Sequence, residues 1–287
     1  MPLPAKKTKK NWTTVIESRS GWFDLDISGL WKYQDLIWLF VRRDFVAVYK
    51  QTILGPLWFL MQPLFTTLVF TVIFGKIAKI PTDGLPPVLF YMTGIVVWNY
   101  FSGCLVGTSN TFVNNAGLFG KVYFPRLVVP VSVVISNILT FLIQLFLLFV
   151  FLIYFYLMGT PVNASWGVIF IPLIVLHMAV LGLGTGILIS SMTTKYRDLT
   201  FAVGFGVQLW MYATPIVYPL SHVPEKWYWI AALNPMTAIV ENFRYILLGE
   251  GGVDFSIMGE SIVVTVLIMI AGVIIFSKIE KNFMDTV

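Results

Sequence analysis

Six stretches of this chain are apolar for long enough to cross or nearly cross a lipid bilayer, and nothing else in it limits the fold as much. They run at 53–75, 88–108, 127–157, 168–192, 200–218 and 257–277. A hydrocarbon layer ~30 Å thick takes ~20 apolar residues as helix. The third stretch is long enough to tilt or to protrude. The runs are continuous, not alternating ten-residue segments, which excludes a membrane β-barrel. Composition removes the soluble alternatives. Hydrophobic residues make up 57% of the 287 and charged residues 11%, against ~25% charged in an average soluble domain. No water-soluble fold of this size hides that much apolar surface. A soluble enzyme, a disordered chain and a nucleic-acid-binding domain are therefore set aside. The expected fold is all-α and polytopic, with six transmembrane helices.

Sidedness follows from Lys and Arg. With six spans and the N-terminus inside, cytoplasmic segments hold 15 of the 19 basic residues, nine of them in 1–52. Lys121, Arg126, Lys195, Arg197, Lys278 and Lys281 complete that set; Lys76, Lys79, Lys226 and Arg244 fall outside. Both termini are expected in the cytoplasm. No isolated apolar core follows basic residues in 1–52, so no cleavable signal peptide is expected. The chain divides into a cytoplasmic N-terminal segment (1–52), a membrane domain (53–278) and a short cytoplasmic tail (279–287).

Residues 30–52 have a different pattern. Leu30, Ile37, Val41 and Val48 share one helical face, and Lys32, Asp35, Arg42, Arg43 and Lys50 another. Asp44 breaks the pattern. This is the mark of an amphipathic helix lying along the membrane surface, either as a plain lipid anchor or as a docking element.

Between the fifth and sixth stretches lies apolar sequence too short to span. Asn234 caps and Pro235 occupies the first helical position of an expected helix that Gly249 ends. Its length would be ~21 Å. A second short piece, 224–233, precedes it. Together, at about 222–249, they suggest a re-entrant helical hairpin on the outer side, tolerated only where it packs in protein or faces water. The alternative is a surface hairpin. Glu241 and Arg244, three apart, can pair there, in the surface case as an exposed ion pair.

What the chain lacks narrows its function. The spans carry almost no acids or bases, so no proton relay or voltage sensor is expected. No inverted repeat with paired broken helices points to gradient-driven alternating access. Gly117-Leu-Phe-Gly120-Lys121 lacks the spacing and the Ser/Thr of a phosphate-binding loop. No nucleophile, base and acid can be assembled, so no catalytic residue is assigned. The lone Cys104 and the distant His177 and His222 offer no metal site; His177 is expected to be a hydrogen-bonded packing residue. Any work against a gradient must draw its energy from another chain.

The loops supply the specific signal. Tyr49-Lys-Gln-Thr-Ile-Leu-Gly-Pro-Leu-Trp58, followed by Gln62-Pro63-Leu64, resembles the approach to the first span in ABC-2-type transporter permeases. Asn114-Asn-Ala-Gly-Leu-Phe-Gly-Lys-Val-Tyr-Phe-Pro-Arg126 is similar to the family's first cytoplasmic loop, and Lys195-Tyr-Arg-Asp198 to its second. Thr214-Pro-Ile-Val-Tyr-Pro219, Val223-Pro-Glu-Lys-Trp227, Leu233-Asn-Pro-Met-Thr237 and Phe243-Arg244 resemble its C-terminal portion. The resemblance runs from about residue 30 to the end, and its nearest form is the O-antigen and polysaccharide export permeases.

The resemblance implies a homodimer in the bacterial inner membrane that docks two copies of a separate cytoplasmic ABC ATPase. That ATPase would bind ATP and Mg, with no cofactor in this chain, and the substrate would be a lipid-linked polysaccharide. It also implies that the N-terminal helix and first cytoplasmic loop meet the ATPase, which marks Arg42, Arg43, Asn115, Leu118, Lys121, Tyr123 and Arg126. Asn115 is expected to cap a short helix reaching Lys121 and ended by Pro125. The basic residues could equally be ordinary positive-inside markers.

A sliding polymer needs contacts strong enough to admit it and weak enough to release it. Aromatic faces suit the C–H faces of sugar rings. Phe65, Phe70, Tyr91, Trp98, Tyr100, Phe101, Trp210 and Tyr212 are the conduit candidates. Against this stands the ordinary use of Trp and Tyr at membrane interfaces and of Phe in bundle cores. Gly182, Gly186 and Ser190, with Gly204 and Gly206, offer small-residue seams for a dimer or for packing within one subunit. Rival functions are export of teichoic acid or small lipophilic compounds, and a non-transporting membrane scaffold.

Overall fold

The computed structural model describes residues 27–50, 53–122, 124–160, 165–193, 196, 198–249, 252 and 254–282, with the side chains of 27–29, 48–49 and 279–282 excepted. The expected roles of residues 1–26, the face occupied by Val48, Tyr123, the Lys195/Arg197 pair and the tail from 283 lie outside these.

Among the described residues the fold is helical throughout, with no strand. The elements are α1 (Ile27–Lys32), α2 (Gln34–Lys50), α3 (Trp58–Phe70), α4 (Pro87–Ser109), α5 (Thr111–Phe119), α6 (Val128–Leu157), α7 (Ile171–Thr193), α8 (Leu199–Ala213), α9 (Glu225–Leu233), α10 (Pro235–Leu248) and α11 (Phe255–Asn282). Among the described residues five helical runs are long and apolar enough to cross a membrane: Gly55–Ile77, Pro87–Ser109, Val128–Leu157, Trp166–Thr193 and Phe255–Lys278. The chain is a multi-pass membrane protein. The fifth expected span is shorter than its apolar sequence. Its helix, α8, has 15 residues, or ~22 Å at 1.5 Å per residue. Thr214, in extended backbone, ends it.

Within the described residues the expected helix at 30–52 forms as far as Lys50, with one break. At Tyr33 the backbone bonds tighten, Tyr33 N–H to Leu30 C=O and Leu36 N–H to Tyr33 C=O, which separates α1 from α2. The apolar face of α2 is covered by protein. Ile37, Phe40 and Val41 are buried in a cluster with Phe112, Phe119, Phe124, Val128 and Phe276.

α4 is the axis of the bundle. Most of it is buried, and it packs against α3, α6, α7, α8 and α10. α7 approaches it closely because of its glycines. A β-carbon at Gly182 would stand 2.7 Å from Cβ of Cys104, and one at Gly186 2.6 Å from Cβ of Thr108. The Gly182/Gly186 seam is thus filled within the chain itself. On the opposite side α7 meets α11 where Gly272 faces the Gly184 carbonyl. Gly204 and Gly206 on α8 have open space beside them. In apolar surroundings a hydrogen bond replaces the water a polar group would otherwise need. Asn99 Nδ2 donates to Gln144 Oε1 at 3.2 Å between α4 and α6, and Thr193 Oγ1 donates to the Ser109 carbonyl at 2.8 Å between α7 and α4. His177 on α7 stands 2.9 Å from Thr265 Oγ1 and 3.3 Å from Ser261 Oγ, a bonded packing residue as expected.

Candidate functional site

The chain gathers its loop motifs at two ends of the bundle. One carries α2, α5 and the start of α6. The other carries α9, α10 and the turn around Asp83.

At the second end α10 starts and stops as its sequence demands. Asn234 Oδ1 accepts from the Met236 N–H at 3.1 Å, Pro235 is the first helical residue, and Gly249 ends the helix at φ 77°. The cap is itself held. Trp210 Nε1 on α8 donates to Asn234 Oδ1 at 3.1 Å, and Asn234 Nδ2 donates to Thr214 Oγ1 at 2.9 Å. α9 lies outermost, with Trp227 and Trp229 exposed, while α10 is buried along most of its length.

Glu241 and Arg244 do pair, at 3.2 Å, but not as an exposed ion pair. Arg244 is 2% exposed. Its Nη1 also donates to the Pro215 carbonyl at 2.6 Å and its Nη2 to the Ile216 carbonyl at 2.9 Å. Its guanidinium lies 3.7 Å from the centre of the Phe90 ring. The planar, forked donor set of Arg suits this; a lysine point charge does not. Gly94 leaves the room, since a β-carbon there would come 3.1 Å from Nη2. Burial lowers the guanidinium to about 10, with Glu241 opposing the shift, so it is charged at neutral pH. Burial also raises the Glu241 carboxyl, while Arg244 and the Leu220 N–H pull it back. A counted outer-loop cation is thus an interior clamp. It fastens α10 to the Thr214–Pro219 turn and to α4.

At the first end, rings form a continuous row. Phe40 and Phe124 are 5.9 Å apart, Phe124 and Phe119 5.6 Å, Phe119 and Phe112 5.8 Å, and Phe112 and Phe276 4.9 Å. Two of the expected docking residues sit over this row. The Arg43 guanidinium lies 4.7 Å from the Phe40 centre and pairs with Asp44 at 2.8 Å; that of Arg126 lies 5.7 Å from the Phe119 centre. Arg42 and Lys121 are exposed, and Leu118 is half-buried. Asn115 does not cap. The helix begins at Thr111, four residues earlier, and ends at Phe119; Asn115 Nδ2 donates to the Thr111 carbonyl at 3.0 Å. Thr111 and Phe112 bury themselves and carry the helix back to Asn110, so the Asn falls in mid-helix.

Of the eight aromatic conduit candidates, Phe65 and Tyr212 have exposed faces, Trp210 is half-buried, and the others lie in the core of the chain. Trp210 packs edge to face against both Trp98 and Phe101, 5.1 Å from Phe101, and Trp98 lies tilted on Phe101. Their indole then reaches the Asn234 cap. Tyr100 packs on Phe141 at 5.3 Å, and Tyr91 on Phe70 at 6.1 Å. Among the described residues no three of His, Cys, Asp and Glu gather closely enough to hold a metal ion.

Comparison with known proteins identifies relatives along most of the chain. Two O-antigen export system permease proteins RfbA of Klebsiella pneumoniae are each 28% identical to the chain over 251 residues, 88% of this chain and 94% of the relative. One of the same name from Myxococcus xanthus is 27% identical over 260 residues, 90% of this chain and 97% of the relative. Residues 35–248, which take in all of α2 but its first residue, the aromatic row except Phe276, and the Arg244 clamp, match the ABC-2 type transporter family, and the chain belongs to that family.

Proposed function

We propose that this chain is the membrane subunit of an ATP-driven exporter that moves a lipid-linked polysaccharide outward across a bacterial inner membrane. Two copies form the conduit, and two copies of a separate cytoplasmic ATPase bind ATP and Mg and supply the energy. The observation that carries this reading is the likeness to O-antigen export permeases along about nine-tenths of the chain. The end bearing α2 and α5 faces the cytoplasm, in keeping with its basic residues. There α2 and α5 rest on the aromatic row and present Arg42 and Lys121 to the ATPase. α8 is the sixth crossing, completed by the turn that follows it. At the other end α9 and α10 dip into the outer leaflet as re-entrant helices, with Arg244 keeping α10 in register. Packing α10 inside protein meets the requirement that short intramembrane helices have their ends satisfied.

The test is disruption of the gene in its host. Undecorated cell surface with lipid-linked polymer retained inside is expected; normal surface glycan would overturn the reading. Purified chain alone should hydrolyse no ATP, and activity should appear on adding the cognate ATPase.

A further inference from the structure

His177 stands in the apolar run Trp166–Thr193, is 9% exposed, and bonds from α7 to α11. An ionisable side chain at membrane depth is expensive and marks a place where something specific is held. Its partners define where its hydrogen sits. Nε2 stands 2.9 Å from Thr265 Oγ1 and 3.3 Å from Ser261 Oγ. Each hydroxyl has a single hydrogen to give. Thr265 donates to the Ser261 carbonyl at 2.8 Å, and Ser261 donates to the Pro235 carbonyl at 2.8 Å. Carbonyls only accept. All four contacts therefore hold together only if Nε2 carries the hydrogen and offers it to the two hydroxyl oxygens. With the hydrogen on Nδ1 instead, either Nε2 or one of the carbonyls would lose its bond.

Nδ1 supplies an independent check. It is buried and, among the described residues, has no hydrogen-bond partner. A hydrogen placed there would meet no acceptor, and buried N–H donors are seldom left so. Nδ1 is the bare nitrogen and Nε2 the donor, a choice set by the bonds around the ring.

The consequence falls on α10, whose first residue is Pro235. The Ser261 hydroxyl has two acceptors within reach, the Pro235 carbonyl and His177 Nε2. A hydrogen on Nε2 closes the second and commits Ser261 to α10. Ile257, one turn earlier on α11, packs at the same corner with Ala232 and Ala238. The start of α10 is thus gripped from two sides. α8 holds it through the Asn234 cap, and α7 and α11 hold it through His177 and Ser261. A single attachment lets a helix swivel; two fix its rotation.

We propose that His177, held as the Nε2–H tautomer, is a positioning residue for α10, and that export requires the tie it sets. The second clause rests on the export reading; the first does not.

The test uses the full chain in lipid nanodiscs. It has two histidines, so a His222→Gln background leaves His177 as the sole imidazole. With isotope-labelled ring nitrogens, solid-state NMR should show the nitrogen bonded to Cδ2 protonated and the other bare. The reverse tautomer overturns the proposal. Amide hydrogen exchange is then read over the start of α10. His177→Leu and Ser261→Ala should each speed it about tenfold, the loss of one buried bond. His177→Gln places an amide N–H where Nε2 stands and should exchange like the wild type. Unchanged exchange in Ser261→Ala, or His177→Gln as fast as His177→Leu, overturns the tie. Should His177→Leu not fold, Ser261→Ala gives the same reading with a smaller change. In a host lacking the gene, His177→Gln should restore surface glycan and Ser261→Ala should not; full restoration by Ser261→Ala overturns the export clause. If the disrupted host itself keeps normal glycan, the export reading falls, and the NMR and exchange results still judge the tie.

Discussion

The two ends of this bundle solve opposite problems. At the hairpin end a charge is inside: Arg244 is buried against two carbonyls, a carboxylate and a ring, while the large aromatics of α9 face outward. At the basic end the aromatics are inside, in the row from Phe40 to Phe276, and Arg42 and Lys121 lie on the surface. A buried ion pair is a poor source of stability relative to apolar packing, yet breaking it is expensive. It therefore enforces one arrangement. An aromatic platform enforces its own shape and leaves Arg42 and Lys121 exposed at the surface.

The contrast can be broken most severely at Arg244. Arg244→Met strands Glu241 and the carbonyls of Pro215 and Ile216, and should cost ~3–5 kcal/mol, read as a large fall in melting temperature in detergent. Adding Glu241→Gln should restore part of the loss; no restoration would mean the pair is not the clamp. Next in size, Phe112→Ala should cost about 3 kcal/mol through a cavity at the centre of the ring row. If the row is an adjustable cushion and not a packed platform, the loss will fall well below that.

The surface cations sharpen the contrast. Arg42→Ala combined with Lys121→Ala should change stability by less than ~0.5 kcal/mol per site. Co-purification of the ATPase should nonetheless drop. Intact assembly in that double variant would remove these residues from the interface.

Glu241 gives the smallest and most selective effect. Its folded value is raised above the ordinary 4.5 by burial. A raised carboxyl favours the protonated folded state, so its contribution is fully present below pH 4.5 and is lost as pH rises through the folded value. Wild-type melting temperature should decline across that window, and Glu241→Gln should decline less. Equal slopes would place the titration elsewhere.

The sequence showed clearly whatever local spacing controls. The long apolar runs became helices, and Asn234, Pro235 and Gly249 bounded α10, because capping depends on neighbours a few residues apart. The Glu241–Arg244 pair was visible for the same reason. Its burial was not, since the carbonyls that receive Arg244 lie 28 and 29 residues away in sequence. Asn115 misled because Asn can bond backbone on either side; burial of Thr111 and Phe112, a tertiary effect, decided where α5 begins. The placing of the conduit candidates on α4 was hidden for a different reason. That helix is apolar on every side, so no periodicity distinguishes a face toward a passage from one toward neighbouring helices. Only assembly showed that α4 is the axis and that Tyr91, Tyr100 and Phe101 are interior.

Cys104 is the chain's one cysteine and lies fully buried where α7 presses on α4. Its thiol is shielded from water-borne maleimides in the native state. The unaltered protein is therefore already a silent background for labelling. A single cysteine placed on α2, α9 or the open flank of α8 would be the sole site to take a spin label or a fluorophore, and a pair, one on α2 and one on α9, would report the distance between the two ends without first rebuilding the core.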